Sequence, residues 1–359
     1  MKTNKIFSLL AAIMMAATFT ACSNDDNPVQ FGQSDKQVID LSKLTGDYKA
    51  QNGDILTGTN TRYKISIAAD ATVTLANANI NGTNDSHYYY SGITCDGDAT
   101  IILKDGTTNV VRGFWENHPG IFIPEGHTLT IKGESKGTGS LNASSNGWGA
   151  GIGGSNIKSC GNIVIQGGNI TAIGGNWAAG IGGGDANSCG NITISGGTVT
   201  ATGGGNSAGI GGGSDGASCG DITISGGTVT ATGGQWGAGI GSGNGESDGA
   251  SCGNITITGG TVTATGGEDG AGIGTGEDGA SCGDITISGG TVTAIGKNHA
   301  VGIGTGPRGK CGDITITSNV TKVTATKGED APPVNSIGAC FDGTCGTVTI
   351  EKGANVIQN

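Results

Sequence analysis

The 359-residue chain is acidic, rich in glycine and poor in aromatic residues. Its formal net charge of −11 becomes −13 once Lys2 and Lys5 are removed with a leader segment. A nucleic-acid partner needs a basic surface, so the charge argues against that class. The 74 glycines and 6 prolines make up about 22% of the chain, below the roughly 25–30% of disordered low-complexity sequences.

The N-terminus has the pattern of a secretory signal. Two lysines precede an apolar run over residues 6–19. This run is shorter than the roughly 20 residues that a membrane-spanning helix needs. We therefore predict a cleaved signal peptide over residues 1–21.

The signal ends in FTAC, residues 19–22, which resembles the lipobox of bacterial lipoproteins. Residues 23–26, SNDD, resemble the acidic tag of surface-exposed Bacteroidetes lipoproteins. These resemblances imply lipidation at Cys22, a polar tether over residues 22–38, and an outer-membrane lipoprotein exposed at the cell surface. Ordinary signal-peptidase cleavage that leaves a free Cys22 is the alternative.

The second half of the chain repeats with a period of about 30 residues. Each unit begins with a cysteine and contains three short segments separated by glycines. The starting residues are Cys160, Cys189, Cys219, Cys252, Cys282, Cys311 and Cys345. Such a period is typical of solenoids.

Each segment alternates apolar residues with polar residues or glycine, which is the pattern of a β-strand with one buried face. In one unit, the side chains expected to point inward and stack on those of the next coil are Ile222, Ile224, Val229, Ala231 and Ile240. The sequence therefore predicts an all-β fold. It is a right-handed, single-stranded parallel β-helix of about nine to ten three-strand coils, its handedness following from the crossover rule.

Weaker copies of the repeat extend toward the N-terminus. One predicted turn combines residues 63–67, 71–75 and 92–93. We expect the β-helix to occupy residues 39–359, with Cys- and Gly-rich repeats over residues 127–350. Residues 39–60 are predicted to cap the first coil, because an open β-edge invites aggregation.

Three segments carry a family resemblance: residues 44–58 (LTGDYKAQNGDILTG), 71–75 (ATVTL) and 103–109 (LKDGTTN). They resemble carbohydrate-binding parallel β-helix domains of bacterial surface proteins, a family distantly related in fold to pectate lyases. The resemblance covers roughly residues 39–350. It implies a polysaccharide or host glycan as partner, since members are associated with acidic polysaccharides and calcium.

Aromatic residues recur at one corner of the predicted coil. Three residues before the glycine of the third segment stand Tyr89, Trp148, Trp177, Trp236 and His299, and Trp115 lies in a corresponding loop. Exposed aromatic rings suit the C–H faces of sugars. We therefore predict that these six residues bind carbohydrate. The alternative is that the rings cover the ends of the strands.

Carboxylates form a second predicted column, four residues before the repeat cysteines. Its members are Asp185, Asp215, Asp248 and Asp278. At a coil spacing of about 4.8 Å they would repel one another, and a hard cation such as Ca²⁺ would relieve this. Calcium is therefore the cofactor that the sequence suggests. The alternative is that each aspartate caps its own turn beside a glycine.

The cysteine column leaves two interpretations open. Disulfides are the usual state in exported proteins, and stacked neighbours can be bridged. A ladder of buried thiols that act as small apolar side chains is the alternative. Separately from these two interpretations, Cys340 and Cys345, which are close in sequence, are predicted to form a local disulfide.

No motif of catalytic residues stands out in the sequence. We therefore predict a monomeric, non-catalytic carbohydrate-binding lipoprotein that contacts the membrane only through its lipid anchor. The first alternative is an adhesin-like structural spacer that binds protein or matrix partners. The second is a polysaccharide lyase, which would need an arginine or lysine within a few Å of the aspartate column.

Overall fold

The computed structural model describes residues 36–245, 249–331 and 335–359. The signal peptide, Cys22, most of the tether and Asp248 lie outside these ranges. The described ranges contain parallel β-strands and a single-turn 3₁₀ helix, Leu41–Lys43, and within them no helix is long and apolar enough to cross a membrane. The predicted fold is confirmed: the chain is a right-handed parallel β-helix of about ten turns.

The first strands of successive coils form one parallel ladder in which equivalent isoleucines are direct partners. Ile222, for example, pairs with Ile192 on one side and Ile255 on the other. The ladder begins with Val38–Asp40, Ile55–Asn60 and Ala71–Asn81. It continues through Ala99–Leu103, Thr128–Gly133, Asn162–Ile165, Ile192–Ile194, Ile222–Ile224, Ile255–Ile257, Ile285–Ile287, Ile314–Ile316 and Val348–Ile350.

The second strands form a ladder with threonines outside and small aliphatic residues inside. Val229 and Ala231 point inward, whereas Thr228 and Thr230 are exposed. From the long strand Ala71–Asn81 this ladder runs through Thr108–Arg112, Ser140–Ser144, Asn169–Ile173, Thr198–Thr202, Thr228–Thr232, Thr261–Thr265, Thr291–Ile295, Lys322–Thr326 and Val356–Gln358.

The third strands are short and form a separate sheet. They are Tyr48–Ala50, Ile65–Ile67, Ile93–Cys95, Ile121–Phe122, Ile152–Gly153, Ile181–Gly182, Ile210–Gly211, Ile240–Gly241, Ile273–Gly274, Ile303–Gly304 and Ile337–Gly338. The predicted turn of residues 63–67, 71–75 and 92–93 is therefore wrong in two strands. Ile65–Ile67 belongs to this sheet and not to a first strand, and residues 71–75 are a first strand and not a second one. The alternation of apolar and polar residues is the same in first, second and third strands, so it could not show to which of them residues 63–67 belong.

Residues 39–60 stand first in the stack and also supply strands to it. Val38–Asp40 pairs with Ile55–Asn60, and Tyr48–Ala50 pairs with Ile65–Ile67. The segment predicted as a cap therefore shares the hydrogen-bond ladders of the coils that follow it.

The core is a column of small aliphatic side chains. The five residues predicted to point inward are at most 1% exposed and stack in register with the next coil. Burying each large aliphatic side chain stabilises the fold by about 1.5–3 kcal/mol. Phe114 is a fully buried ring among these side chains.

A ladder of asparagine and aspartate side chains runs along the corner before the first strands. It was not predicted from the sequence. Asp221 Oδ1 accepts a hydrogen bond from the backbone N–H of Asn254 (2.8 Å), and Asn254 Oδ1 accepts one from Asp284 (2.9 Å). The same bond recurs from Asn162 to Thr347. These side chains therefore pair backbone donors where the strand ladder is interrupted.

Five of the seven repeat cysteines lie on a fourth row of two-residue strands, which Cys189 extends by an isolated bridge to Cys219. These are Ser218–Cys219, Ser251–Cys252, Ser281–Cys282, Lys310–Cys311 and Thr344–Cys345. Cys345 is disulfide-bonded to Cys311, its neighbour in the ladder, so the predicted Cys340–Cys345 pair is wrong. Cys340 instead contacts the carbonyl oxygen of His299. The other column cysteines are buried thiols.

Candidate functional site

In six coils, from Ile152–Gly153 to Ile303–Gly304, the third strand is the inner tip of a U-shaped turn closed by a backbone hydrogen bond. In one coil the N–H of Ala179 donates to the carbonyl oxygen of Gly183 (2.9 Å), and Ile181 between them points into the core. Gly182 has a φ of 136°, and a Cβ atom there would lie 2.0 Å from the carbonyl oxygen of Gly211. Glycine thus permits both the turn and the close stacking of coils. The residues on either side of the turn meet at the outer surface.

Two columns of side chains consequently run along one edge of the stack. The aromatic column precedes the turn and consists of Tyr89, Asn117, Trp148, Trp177, Asn206, Trp236, Asp269 and His299. The return column follows it and consists of Asn156, Asp185, Ser214, Asn244, Glu277, Pro307 and Phe341. The N–H of Asp185 donates to the carbonyl oxygen of Trp148 in the preceding coil, at 3.1 Å. The two columns therefore face each other.

The predicted aromatic residues differ in exposure. Tyr89 is 51% and Trp177 42% exposed, and His299 is exposed. The half-buried ones are Trp115, Trp148 and Trp236. The Trp177 indole lies over Gly205 of the next coil, where a Cβ atom would approach its Cδ1 atom to 3.4 Å. Across the described ranges no ring contact joins two tryptophans, so the indoles form separate surfaces rather than one platform.

Tyr89 borders a cavity of about 330 Å³, which we call the Tyr89 pocket. It is lined by Lys64, Tyr89, Tyr90, Ser91, Thr94, His118, Phe122, Ser155, Ile157 and Lys158. The Tyr89 ring meets the His118 ring edge to face, with centroids 4.6 Å apart. Burial, and secondarily the charge of Lys158, lower the pKa of His118 to about 4, so its imidazole is neutral at pH 7.

The chemistry of the Tyr89 pocket is mixed. Tyr89, Phe122 and the exposed Ile157 supply apolar surface, while Lys64 and Lys158 supply hydrogen-bond donors. The Nε2 atom of His118 is buried and has no hydrogen-bond partner among the described residues. This combination of apolar walls with a few polar groups is typical of sites for small polar ligands.

Of the residues that line this pocket, only Tyr89 was predicted from the sequence. His118 and Lys158 come from loops of different coils, and no periodic pattern connects them. The one available signal was the loop at residues 155–159, where SNIKS replaces the short polar residues of other coils. A departure from the repeat therefore marked the site.

A second cavity of about 240 Å³ lies near the C-terminal end, and we call it the Arg308 pocket. It is lined by Glu277, His299, Pro307, Arg308, Phe341 and Asp342. The guanidinium of Arg308 contacts the carboxylate of Asp278 and lies 3.4 Å from that of Glu277. Burial, with the nearby charges of Asp278 and Asp269, raises the pKa of Glu277. An arginine thus stands within a few Å of a predicted column aspartate.

His299 has an acidic partner in this region. Its Nδ1 atom lies 2.7 Å from Asp269 Oδ1 in the preceding coil, and its ring meets that of Phe341 at 6.3 Å. The imidazole is therefore held by a carboxylate at the same edge as the Arg308 pocket.

The predicted aspartate column is wrong in its alignment. Asp215 and Asp278 share a left-handed position with Ala186 and Arg308, each with φ between 51° and 59°. Asp185 stands one place earlier, level with Ser214 in the return column. The cause is loop length: the isoleucine of the turn precedes the cysteine by eight residues in some coils and by nine or more in others. Counting back from the cysteine therefore shifted Asp185.

Within the described residues, the acidic side chains do not form a metal centre. Across the ranges that the structure describes, no group of three or more His, Cys, Asp or Glu side chains could hold a metal ion. Asp185 Oδ2 accepts a hydrogen bond from Asn156 (3.0 Å), and burial, with the charge of Asp215, raises the pKa of Asp185. The positive φ of Asp215 and Asp278 agrees with a turn-capping role. Calcium binding stays a prediction.

Comparison with known families agrees with this architecture. Five segments match the β-helix repeat family: residues 163–185, 192–214, 222–244, 255–277 and 285–307. Each match runs from the first strand to the return column, which independently places Asp185 level with Ser214. The protein is thus a repeat-containing parallel β-helix. No curated protein and no solved structure matches the chain.

Proposed function

We propose that the protein is a surface-anchored, non-catalytic lipoprotein that binds carbohydrate along its aromatic column. The observation that carries the proposal is the Tyr89 pocket. Its half-exposed tyrosine can cover one face of a sugar ring while Lys64 and Lys158 donate hydrogen bonds to ring substituents. The exposed part of the Trp177 indole offers a second stacking surface on the same column.

A glycan array probed with the lipid-free protein, with and without calcium, tests this function. Tyr89→Ala and Trp177→Ala should each weaken binding about two- to tenfold, because a ring contact contributes on the order of 0.5–1.5 kcal/mol. Ile173→Ala is the matched control, since Ile173 is also 42% exposed but lies on the second ladder. It should leave affinity unchanged.

The same variants separate binding from structure. Rings that serve only to cover the strand ends would give variants with lower melting temperatures and unaltered glycan binding. That result would support the adhesin-like spacer, in which the β-helix is a rigid rod whose surface binds protein or matrix partners.

Anchoring is the second part of the proposal, and it rests on the lipobox sequence. Cys22→Ser should abolish labelling with a radioactive lipid precursor and shift the protein out of the membrane fraction. Ser23→Ala is the control, because it alters the neighbouring residue and keeps the acceptor thiol. A Cys22→Ser protein that still fractionates with membranes would contradict lipidation at this residue.

The Arg308 pocket favours polysaccharide lyase activity as a second candidate function. Arg308 contacts the column residue Asp278 and lines a pocket with His299, which is the proximity of arginine and aspartate that a lyase of this fold would need. Incubation with pectin and alginate should then release unsaturated sugars, detected by ultraviolet absorbance, in the native protein and not in Arg308→Ala. Absence of that product from both proteins would remove this candidate.

A further inference from the structure

The column cysteines stack in register, each opposite its neighbours in the adjacent coils. From Cys189 to Cys345 every successive pair is joined by parallel strand pairing. At the C-terminal end, Cys311 and Cys345 are disulfide-bonded with Cα atoms 4.6 Å apart. The spacing between coils therefore permits cross-linking, but backbone register alone does not determine which neighbouring cysteines form a disulfide.

The contacts of the sulfur atoms distinguish between the possible pairs. Cys160 Sγ lies 2.7 Å from Cys189 Sγ, closer than the roughly 3.5–4.0 Å at which non-bonded heavy atoms attract best. Cys252 and Cys282 are register partners in adjacent coils, and a hydrogen bond with the Cys282 thiol, together with burial, raises the pKa of Cys252 well above its usual value. Cys219, between these pairs, has no hydrogen bond to another thiol among the described residues. Its sulfur lies 3.7 Å from the carbonyl oxygen of Gly190, a contact that Cys189 also makes with Gly161 at 3.5 Å. The column thus contains two close pairs with one thiol between them.

We propose that these two close pairs are disulfides in the oxidised protein and that Cys219 is the column thiol left unpaired. Together with the disulfide at the C-terminal end, six of the seven column cysteines are then cross-linked. Each bond joins adjacent coils, so the stack is held covalently near the start, in the middle and at the end of its regular repeats.

Each new bond forms by thiol–disulfide exchange. Two cysteine thiols lose their hydrogens and join through sulfur, and a disulfide donor, such as a thiol oxidoreductase or oxidised glutathione, is reduced to two thiols. In the folded chain the hydrogen bond from Cys160, together with burial, raises the pKa of Cys189 well above its usual value. The reactive thiolate is then scarce, so oxidation accompanies the stacking of coils during folding.

The sequence provides a direct way to map the pairing. An aspartate stands between every two successive cysteines from Cys160 to Cys345, so a protease that cleaves before aspartate puts each on its own fragment. The full chain would be reduced and unfolded, refolded with oxidised and reduced glutathione, alkylated in denaturant, digested and analysed by mass spectrometry. We expect three linked pairs of fragments: those of Cys160 with Cys189, Cys252 with Cys282, and Cys311 with Cys345.

Two variants make the assignment specific. Cys219→Ser should keep all three linked pairs, because this residue takes part in none of them. Cys160→Ser should lose one linked pair and leave Cys189 alkylated. Full alkylation of Cys160, Cys189, Cys252 and Cys282 in the refolded native chain, or any linked fragment that contains Cys219, would overturn the proposal.

Discussion

Ile240 offers a quantitative test of the way in which the coils stabilise one another. Its side chain is fully buried and stacks between Ile210 and Ile273 of the neighbouring coils. Ile240→Ala removes three carbon atoms, each worth about 0.8 kcal/mol of transfer free energy. Backbone hydrogen bonds on both sides hold the coil spacing, among them Ile240 N–H to Gly272 (3.0 Å), so the cavity cannot collapse. With the cavity term the expected loss is about 3–4 kcal/mol.

Urea unfolding followed by circular dichroism measures this loss. Thr230→Ala is the control within the same coil, because Thr230 is exposed on the second ladder and should change stability by less than about 0.5 kcal/mol. Hydrogen exchange should show that the amides of the adjacent coils lose more protection than those of residues 71–112, since each coil contacts only its neighbours. A loss below about 1 kcal/mol, or one equal to that of Thr230→Ala, would refute this account of the core.

The remaining predictions concern pH, the corner ladder and the turn. Because burial lowers the pKa of His118 to about 4 from its ordinary 6.5, the unfolded chain binds a proton between these values and the folded chain does not. Stability to urea should therefore be full above pH 6.5 and fall toward pH 4, and a native midpoint as insensitive to pH as that of His118→Gln would contradict this. Asp221→Ala should cost about 1 kcal/mol by leaving the Asn254 N–H without its acceptor, whereas Asp221→Asn keeps that acceptor and should melt like the native protein. Gly182→Ala should lower the melting temperature far more than Gly137→Ala, because Gly137, also at positive φ, has open space around its Cβ position; equal effects would disprove the stacking argument.

Most of the fold could be predicted from the sequence because the coils repeat the same physical solution. Alternation placed Ile222 and Val229 inside, and the period predicted that each stacks on its equivalent one coil away. Where the copies weaken, alternation no longer identifies the face, and residues 63–67 were assigned to the wrong one. The face of a strand depends on its partners in space, such as Tyr48–Ala50 and Ile93–Cys95.

The site was less predictable, because side chains on loops are placed by loop length. One residue more or fewer between the turn and the cysteine moved Asp185 out of line with Asp215. The cysteines show a different error: Cys340 is nearer to Cys345 in sequence, but the coil register places Cys311 opposite Cys345. Alignment on the isoleucine of the turn would have placed Asp185 correctly, since that residue is fixed by the core.

The positions of the two pockets follow from the repeat itself. Identical coils present the same side chains at every step, so a regular stack has a uniform edge, as in the ladder Thr200, Thr230 and Thr263. A concave site needs neighbouring coils that differ. The Tyr89 pocket lies where the loop of residues 155–159 departs from the repeat, and the Arg308 pocket lies where Phe341 enters the return column. Ligand specificity is therefore expected at the irregular coils, while the regular coils between them set the distance that separates the two pockets.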